Sequence, residues 1–305
     1  MNFRDLEYLV TVAKLRHFGK AAEECHVSQS ALSLQVQKLE REIGVQLLER
    51  TNRSVVVTEI GKEVVRRAQE LLQGKRELVD AARLPDGKLP ETVRIGAIPT
   101  IAPYLFSGLQ TAFRKHYPST TPLFDEAVTE QLIAAVINGE LEAGIVATPV
   151  DDTLLDELEL FEEPFRLAVP SRHPLVRKGQ VAPQDLGKDQ LLLLKDTHCL
   201  REQVIGFCSA HRVAGKLQSA ASSIATLLAL VRSQGGVTLV PEMAIESSSK
   251  LTGIRYLPVT PSPTRRIRLI FRKTSHVGRR LAEAARHCIK PPEDSTTSSM
   301  VHHWI

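Results

Sequence analysis

The tightest constraint on this chain lies in its first 43 residues, where apolar side chains recur only at helical spacing, in three runs set apart by short breaks. Leu6, Leu9, Val10 and Ala13 share one face of a first helix over residues 2–16. Ala21, Ala22 and Cys25 face inward on a short second helix. His26 and Val27 turn the chain, Ser28 is suited to cap the next helix, and Leu32, Val36, Leu39 and Ile43 stripe that longer third helix. Helix, short helix, tight turn, longer helix is the outline of a helix-turn-helix. Such a unit lays the start of its last helix in the major groove of DNA. Gln29, Ser30, Ser33, Leu34 and Gln37 are left on the face opposite the stripe, and amides and hydroxyls there can pair with base edges.

After Gly44, two short apolar runs flank the polar stretch Thr51-Asn52-Arg53-Ser54. That pattern predicts a hairpin wing with Arg50 and Arg53 at its tip, where arginines can hold phosphates and so fix register without reading sequence. The charges of residues 1–58 nearly cancel, so charge alone does not separate a DNA-reading head from a three-helix domain with a solvated hairpin.

Residues 59–84 read as one helix capped by Thr58. Ile60, Val64, Ala68, Leu71, Leu72, Leu78 and Val79 form an apolar stripe that a lone helix must bury against something. Pro85-Asp86-Gly87-Lys88-Leu89-Pro90 then breaks it, which makes 59–90 a linker helix and hinge.

From residue 91 the pattern changes to strands at 92–98, 121–126, 144–148, 165–169, 191–194, 237–240 and 267–271. Helices fall at 104–116, 129–138, 199–210 and 222–232. This is an α/β array with a mainly parallel sheet. About 200 residues suit two small lobes: lobe I over about 91–162 and 268–290, lobe II over about 163–267, with crossovers near Glu163-Pro164 and Arg265-Arg266. Residues 291–305, which hold the single tryptophan, Trp304, have the composition of a disordered tail.

Two cysteines, Cys199 and Cys208, lie nine positions apart in a run where Leu200, Val204 and Phe207 recur at helical spacing. In an intact helix they are separated by about 13 Å of rise, whereas a disulfide needs Cα atoms within roughly 7 Å. They can join only if the helix unravels, so they are either a two-position switch or two buried cysteines used as small apolar residues. Cys25 and Cys288 read as core. Without a CxxC, the four cysteines are too scattered for a zinc site, and neither a metal nor a cofactor is expected. No Walker loop, HExxH or GxSxG element is present, so no catalytic residue is assigned and an enzyme is not expected.

The chain has 305 residues, 43% hydrophobic and 24% charged, a globular composition without a run of about 18 apolar residues. Its start, Met1 to Glu7, is acidic where a secretory signal would be basic and apolar, so the expected location is the cytoplasm, with no membrane partner. Thiols are normally reduced there, and a disulfide would be transient.

Phe18-Gly19-Lys20-Ala21-Ala22, Val27 to Ser33, Lys38-Leu39-Glu40, Gly44-Val45, Leu47 to Arg50 and Thr58-Glu59-Ile60-Gly61 resemble the N-terminal domain of LysR-type transcription regulators. The resemblance implies three parts. A winged helix-turn-helix DNA-binding domain spans residues 1–58. A long linker helix pairs antiparallel with that of a second subunit. A two-lobed α/β periplasmic-binding-protein-like regulatory domain spans 91–290.

Arg4 to Val10, Ile98-Pro99-Thr100, Pro103-Tyr104-Leu105, Glu126-Ala127 with Thr129, and His198-Cys199-Leu200-Arg201 followed by Gly206-Phe207-Cys208 are similar to the OxyR-like, peroxide-sensing branch of that family. This implies that Cys199 is oxidised by hydrogen peroxide to a sulfenic acid and that Cys208 resolves it to a disulfide. It implies that Thr100, Thr129, His198 and Arg266 line the peroxide pocket. Promoter DNA, RNA polymerase, a second and further copies of the chain (a homodimer, and a homotetramer), and a thiol reductant such as glutaredoxin or thioredoxin are the implied partners. A helix N-terminus at Cys199 would favour its thiolate. Thr100 and Thr129 also suit helix caps. Two positions depart from the pattern: Gln218 stands where a histidine is common, and Leu34 is apolar where polar or small residues are common. The alternatives are a LysR-type regulator that answers to a reversibly bound metabolite, and a thiol-dependent peroxidase.

Overall fold

The computed structural model describes residues 1–50, 55–83, 88–195, 199–213, 215–248 and 252–289. The chain divides into two compact units, Met1–Pro85 and Asp86–Ile305. No helix among the described residues is long and apolar enough to cross a membrane.

In the first unit, α1 (Phe3–Leu15) starts on a capping box in which the Asn2 side chain and the Asp5 carboxylate each accept the other's backbone N–H. A short α2 (Phe18–Glu24) follows, and His26 turns the chain in the left-handed region at φ 53°. Ser28 Oγ accepts the Ala31 N–H at the start of α3 (Gln29–Ile43). Leu6, Leu9, Val12, Ala21, Ala22, Leu32, Val36 and Leu39 close one apolar core. Ile43, expected in that stripe, is instead exposed at the last turn of α3. The wing consists of β1 (Leu48–Arg50) and β2 (Val55–Val57), paired antiparallel with Leu48 opposite Val57. Glu40 ties the wing to α3 by accepting the Leu47 and Leu48 N–H groups at 2.9 and 3.0 Å. Thr58 accepts the Gly61 N–H at 2.9 Å and so opens α4 (Glu59–Arg83). Gly61 is needed there, because a Cβ would stand 2.2 Å from the Leu47 carbonyl oxygen.

The stripe of α4 is split. Ala68 and Leu72 are buried in the same core as α1, with Val64 and Val65 packed beside them, while Ile60, Leu71, Leu78 and Val79 remain exposed.

The second unit runs β3 (Thr92–Ala97), α5 (Ala102–His116), β4 (Thr121–Glu126), α6 (Thr129–Ile137), β5 (Ala143–Val146), β6 (Leu155–Pro170), β7 (Gln190–Leu194), α7 (Cys199–Ala210), β8 (Lys216–Ala221), α8 (Ile224–Gln234), β9 (Thr238–Pro241), α9 (Met243–Ser248), β10 (Ile254–Pro258), β11 (Thr264–Arg272) and α10 (His276–Cys288). In the first lobe β4, β3 and β5 are parallel neighbours, and β11 and the first half of β6 add antiparallel. The second half of β6 continues into the other lobe between β10 and β9, and β7 pairs parallel with β8 beyond them.

Two long strands therefore cross between the lobes, with Glu163 paired to Arg265 and Pro164 to Thr264 at the crossing. This corrects the expectation of a mainly parallel sheet: β6 and β11 are antiparallel to each other and to their other named partners. The early part of β6 carries acidic residues, and its outward charges are met by arginines on β11, Arg268 to Glu157 at 3.5 Å and Arg266 to Glu159 at 3.7 Å.

Candidate functional site

Three strands deliver the site, each parallel to a neighbour in its own sheet. β3, β4 and β7 are each followed by a helix, and Thr100, Thr129 and Cys199 lie just before or at the first residue of those helices. Clefts at the carboxyl ends of parallel strands, facing helix N-termini, are where α/β folds gather ligands. Thr100 is buried just ahead of α5. Thr129 is the first residue of α6, and Cys199 the first residue of α7.

The Cys199 sulfur is hydrogen-bonded by the Thr129 side chain, from the other lobe, and by the Leu200 backbone N–H. Burial pushes the Cys199 thiol up, and the nearby Arg265 charge, Thr129 and the Leu200 N–H act against it. The helix N-terminus was expected to leave a stabilised thiolate. Its N–H is in place, but burial acts on the sulfur more strongly and in the opposite direction. Cys208 is buried in the same unbroken helix, and burial raises its thiol as well. All four cysteines are free thiols.

Arg265 is the arginine of this site. Its side chain has no exposed surface. Its Nε donates to Glu163 Oε2 at 2.7 Å, Nη1 to Thr100 Oγ1 at 3.0 Å, and Nη2 to the Thr100 carbonyl at 3.1 Å. Arg266, the expected pocket residue, points the other way: its side chain is 57% exposed and lies 3.7 Å from Glu159. Successive residues of a strand face opposite sides. Since Ile267 and Leu269 are buried, Arg265 shares their side and Arg266 does not. The alternation was present in the sequence as Arg265, Ile267, Leu269.

Sequence reasoning also missed Glu163, Gln203 and Tyr104. Glu163 is fully buried, and burial pushes its carboxyl up against the pull of Arg265. Gln203 Nε2 donates to the Ala147 carbonyl at 2.8 Å, from α7 to the end of β5 in the opposite lobe. Tyr104 of α5 packs on the core of the second lobe, and burial raises its hydroxyl to about 12. His198 lies outside the described residues. Gln218 sits on exposed β8, its amide oxygen bonded by Gln190 at the end of β7 remote from Cys199.

On the first unit, Gln29, Ser30, Leu34 and Gln37 are exposed on α3 and Ser33 is half-buried. Ser30 Oγ lies 3.2 Å from the capping Ser28 Oγ. Arg50 falls in β1, with its side chain outside the described residues, as is Arg53. The five described side chains thus share one helix face, with an exposed apolar member, Leu34, among polar ones.

Residues 3–62 match the bacterial regulatory helix-turn-helix protein, lysR family, and residues 86–290 match the LysR substrate binding domain. The chain is 39% identical over 290 residues to the DNA-binding transcriptional dual regulator OxyR of Escherichia coli K12, covering 94% of this chain and 95% of that one. It is 38% identical over 286 residues to the hydrogen peroxide-inducible genes activator of Dickeya chrysanthemi, covering 93% and 94%. Among solved structures, a full-length variant of Pseudomonas aeruginosa OxyR aligns with a TM-score of 0.80 and 33% identity over 94% of both chains. With both units matched, and relatives alike along nearly their whole length, the chain belongs to the LysR family of transcriptional regulators, among its OxyR-like members.

Proposed function

We propose that this protein is a DNA-binding transcription regulator switched by hydrogen peroxide through a reversible disulfide between Cys199 and Cys208. One observation carries the reading. Cys199 opens a helix, is hydrogen-bonded by Thr129 and faces Arg265, while Cys208 lies buried further along the same helix.

The chemistry follows from those neighbours. A peroxide molecule in the cleft would be held by the hydroxyls of Thr100 and Thr129, and His198, which precedes Cys199 in the sequence, is the further pocket residue of this reading. Cys199 loses its proton, its sulfur attacks one peroxide oxygen, the S–O bond forms and the O–O bond breaks. The departing hydroxide, stabilised by the Arg265 charge, takes up a proton and leaves as water. The resulting sulfenic acid is attacked by the Cys208 sulfur, the S–S bond forms and the S–O bond breaks, and a second water leaves. Two thiols and one peroxide thus give one disulfide and two waters.

The second step cannot occur in an intact α7. Nine residues of helix separate the sulfurs by about 13 Å of rise, against the roughly 7 Å between Cα atoms that a disulfide tolerates. Unravelling α7 removes the Gln203 bond to Ala147 and the Thr129 bond to Cys199, two ties between the lobes. The oxidised sensor would then present a different surface to its neighbours in the oligomer.

In this reading residues 1–58 read DNA, 59–90 link and dimerise, and 91–290 sense. Gln29, Ser30, Ser33, Leu34 and Gln37 meet base edges, and Arg50 and Arg53 meet phosphates. A dimer presents two such heads and a tetramer four, acting on promoters in the cytoplasm with RNA polymerase as target. A thiol reductant of the glutaredoxin or thioredoxin kind resets the switch. The protein is consumed once per peroxide until reset, which makes it a sensor rather than an enzyme.

Counting thiols tests this. After peroxide, the protein loses two free thiols, and Cys199→Ser loses none. Cys208→Ser still oxidises at Cys199 but forms no intramolecular bond. The footprint on promoter DNA changes on oxidation in the unmodified chain alone. An inert Cys199 together with a footprint blind to oxidant would leave a regulator of some other signal.

A further inference from the structure

We propose that Glu163 is a positioning residue for the reaction of Cys199 with peroxide, acting through Arg265 and the Thr100 hydroxyl. The inference rests on the function proposed above. It assigns to Glu163 the aim of the guanidinium rather than any contact with peroxide.

The four groups form one buried relay. The Met243 N–H, at the start of α9, donates to Glu163 Oε1 at 2.8 Å. Glu163 Oε2 receives Arg265 Nε at 2.7 Å. The other end of the guanidinium grips Thr100 twice, at its hydroxyl and at its carbonyl, at 3.0 and 3.1 Å. The Glu163 and Arg265 side chains are wholly buried, and Thr100 is buried beside them. Backbone register supports the same alignment, because Glu163 and Arg265 are Cα partners where β6 and β11 cross between the lobes.

This arrangement constrains two donors. A guanidinium has five N–H groups in a rigid fork, and three of them are held by Glu163 and Thr100. Fixing those three fixes the direction of the other two. The Thr100 oxygen already accepts from Nη1, so its own hydrogen is directed elsewhere and is available to a peroxide oxygen. Both donors serve the same event: the sulfur–oxygen bond forms, the oxygen–oxygen bond breaks, and the outgoing hydroxide is held until it takes a proton.

Charge and aim predict opposite outcomes, which makes the role separable from mere support. The Glu163 carboxylate offsets part of the positive potential that Arg265 places on the Cys199 sulfur. Replacing it by a neutral amide of the same shape, Glu163→Gln, strengthens that potential and favours the thiolate. The same change puts an NH2 group in the relay where only acceptors fit, and turns the guanidinium away from its present aim.

The experiment measures two rates on the full chain across pH 6–11, reading Cys199 by peptide mass spectrometry. One is oxidation by hydrogen peroxide; the other is alkylation by iodoacetamide, which needs the thiolate but no oriented donors. Glu163→Gln is expected to oxidise at least tenfold more slowly, with its alkylation midpoint shifted to lower pH. Glu163→Asp, which keeps the charge and shortens the reach, is expected to oxidise more slowly with an unmoved alkylation midpoint, and it decides the matter if the glutamine variant fails to fold. Peroxide rates within twofold of the unmodified chain, or peroxide and alkylation rates falling together, would overturn the inference. An unmodified chain that loses no thiols to peroxide would instead sink the function it rests on.

Discussion

Gln203 Nε2 donates to the Ala147 carbonyl at 2.8 Å, and its Oε1 is buried with no partner among the described residues. Gln203 stands one helical turn after Cys199, at a spacing that shares a helix face, and both side chains bond to the opposite lobe. The helix that must unravel for a disulfide is thus also a brace between lobes, held at two points four residues apart.

Gln203→Glu tests the brace through pH. A carboxylate cannot donate to Ala147, whereas a protonated carboxyl can. Burial beside a carbonyl raises the folded-state pKa of the new group above its unfolded value. The stability it contributes is therefore present below the unfolded pKa, about 4.3, and is lost as pH rises through the folded value. At pH 8 the cost is about 1–3 kcal/mol for the unmet hydrogen bond, or roughly 2–12 °C in melting temperature for a unit of this size. The deficit relative to the unmodified chain should shrink at pH 5. A deficit equal at both pH values would show that the bond to Ala147 contributes nothing.

The neighbouring arginines should separate cleanly. Arg265→Lys keeps a charge but loses the fork that spans Glu163 and Thr100. Stopped-flow oxidation of Cys199 should slow by at least tenfold. Arg266→Ala removes an exposed side chain 3.7 Å from Glu159, and such pairs contribute about 0–1 kcal/mol, so its rate should stay within twofold. The reverse ranking would return the role to Arg266.

The raised thiol of Cys199 sets a pH profile for the unmodified chain. Alkylation requires the thiolate, and burial holds that form scarce at neutral pH despite Arg265, Thr129 and the Leu200 N–H. The iodoacetamide rate should climb throughout pH 7–9 without a plateau. Peroxide, which the cleft can orient, should react faster relative to iodoacetamide at Cys199 than at a cysteine in an unfolded peptide. A plateau below pH 7 would mean that the dipole and the arginine outweigh burial after all.

The unequal legibility of the fold has local causes. The helix-turn-helix was readable because each stripe, Leu6 and Leu9 or Leu32, Val36 and Leu39, buries against sequence neighbours. The lobe crossing near Glu163 and Arg265 was readable as a place but not as a contact, since the two residues are 102 positions apart. Gln203 and Ala147, 56 apart, gave no local signal either. The burial that opposes the helix N-terminus at Cys199 gave no local signal, because a helix start shows in sequence and desolvation does not.

On α3, Gln29→Ala should weaken binding to the cognate site by about 1–3 kcal/mol and relax preference at one base pair, while leaving the salt dependence unchanged. Leu34 is 61% exposed on the same face, and an apolar side chain there suits a thymine methyl. Leu34→Ser should lower the preference for thymine at one position in a selection from random duplexes. Uniform weakening across all sequences, with a smaller salt slope, would place these residues at the phosphates instead.

The exposed half of the α4 stripe carries the last prediction. Ala68 and Leu72 are spent on the core of their own unit, yet Leu71 is 52% exposed and Leu78 73% exposed, two turns apart on the outer face. Burying such a side chain is worth about 1.5–3 kcal/mol, so a second copy of the helix laid antiparallel would bury four leucines and gain about 6–12 kcal/mol before the cost of association. Leu71→Glu with Leu78→Glu replaces that gain with like charges facing each other across the seam. Light scattering at micromolar concentration should find the doubly substituted chain at half the dimer mass, with its circular dichroism unchanged because neither leucine belongs to the core of the unit. DNA affinity should fall much further than the loss of one head explains, since two linked heads bind with an effective concentration that a monomer lacks. A chain that keeps its dimer mass after both changes would move the subunit contact away from this helix.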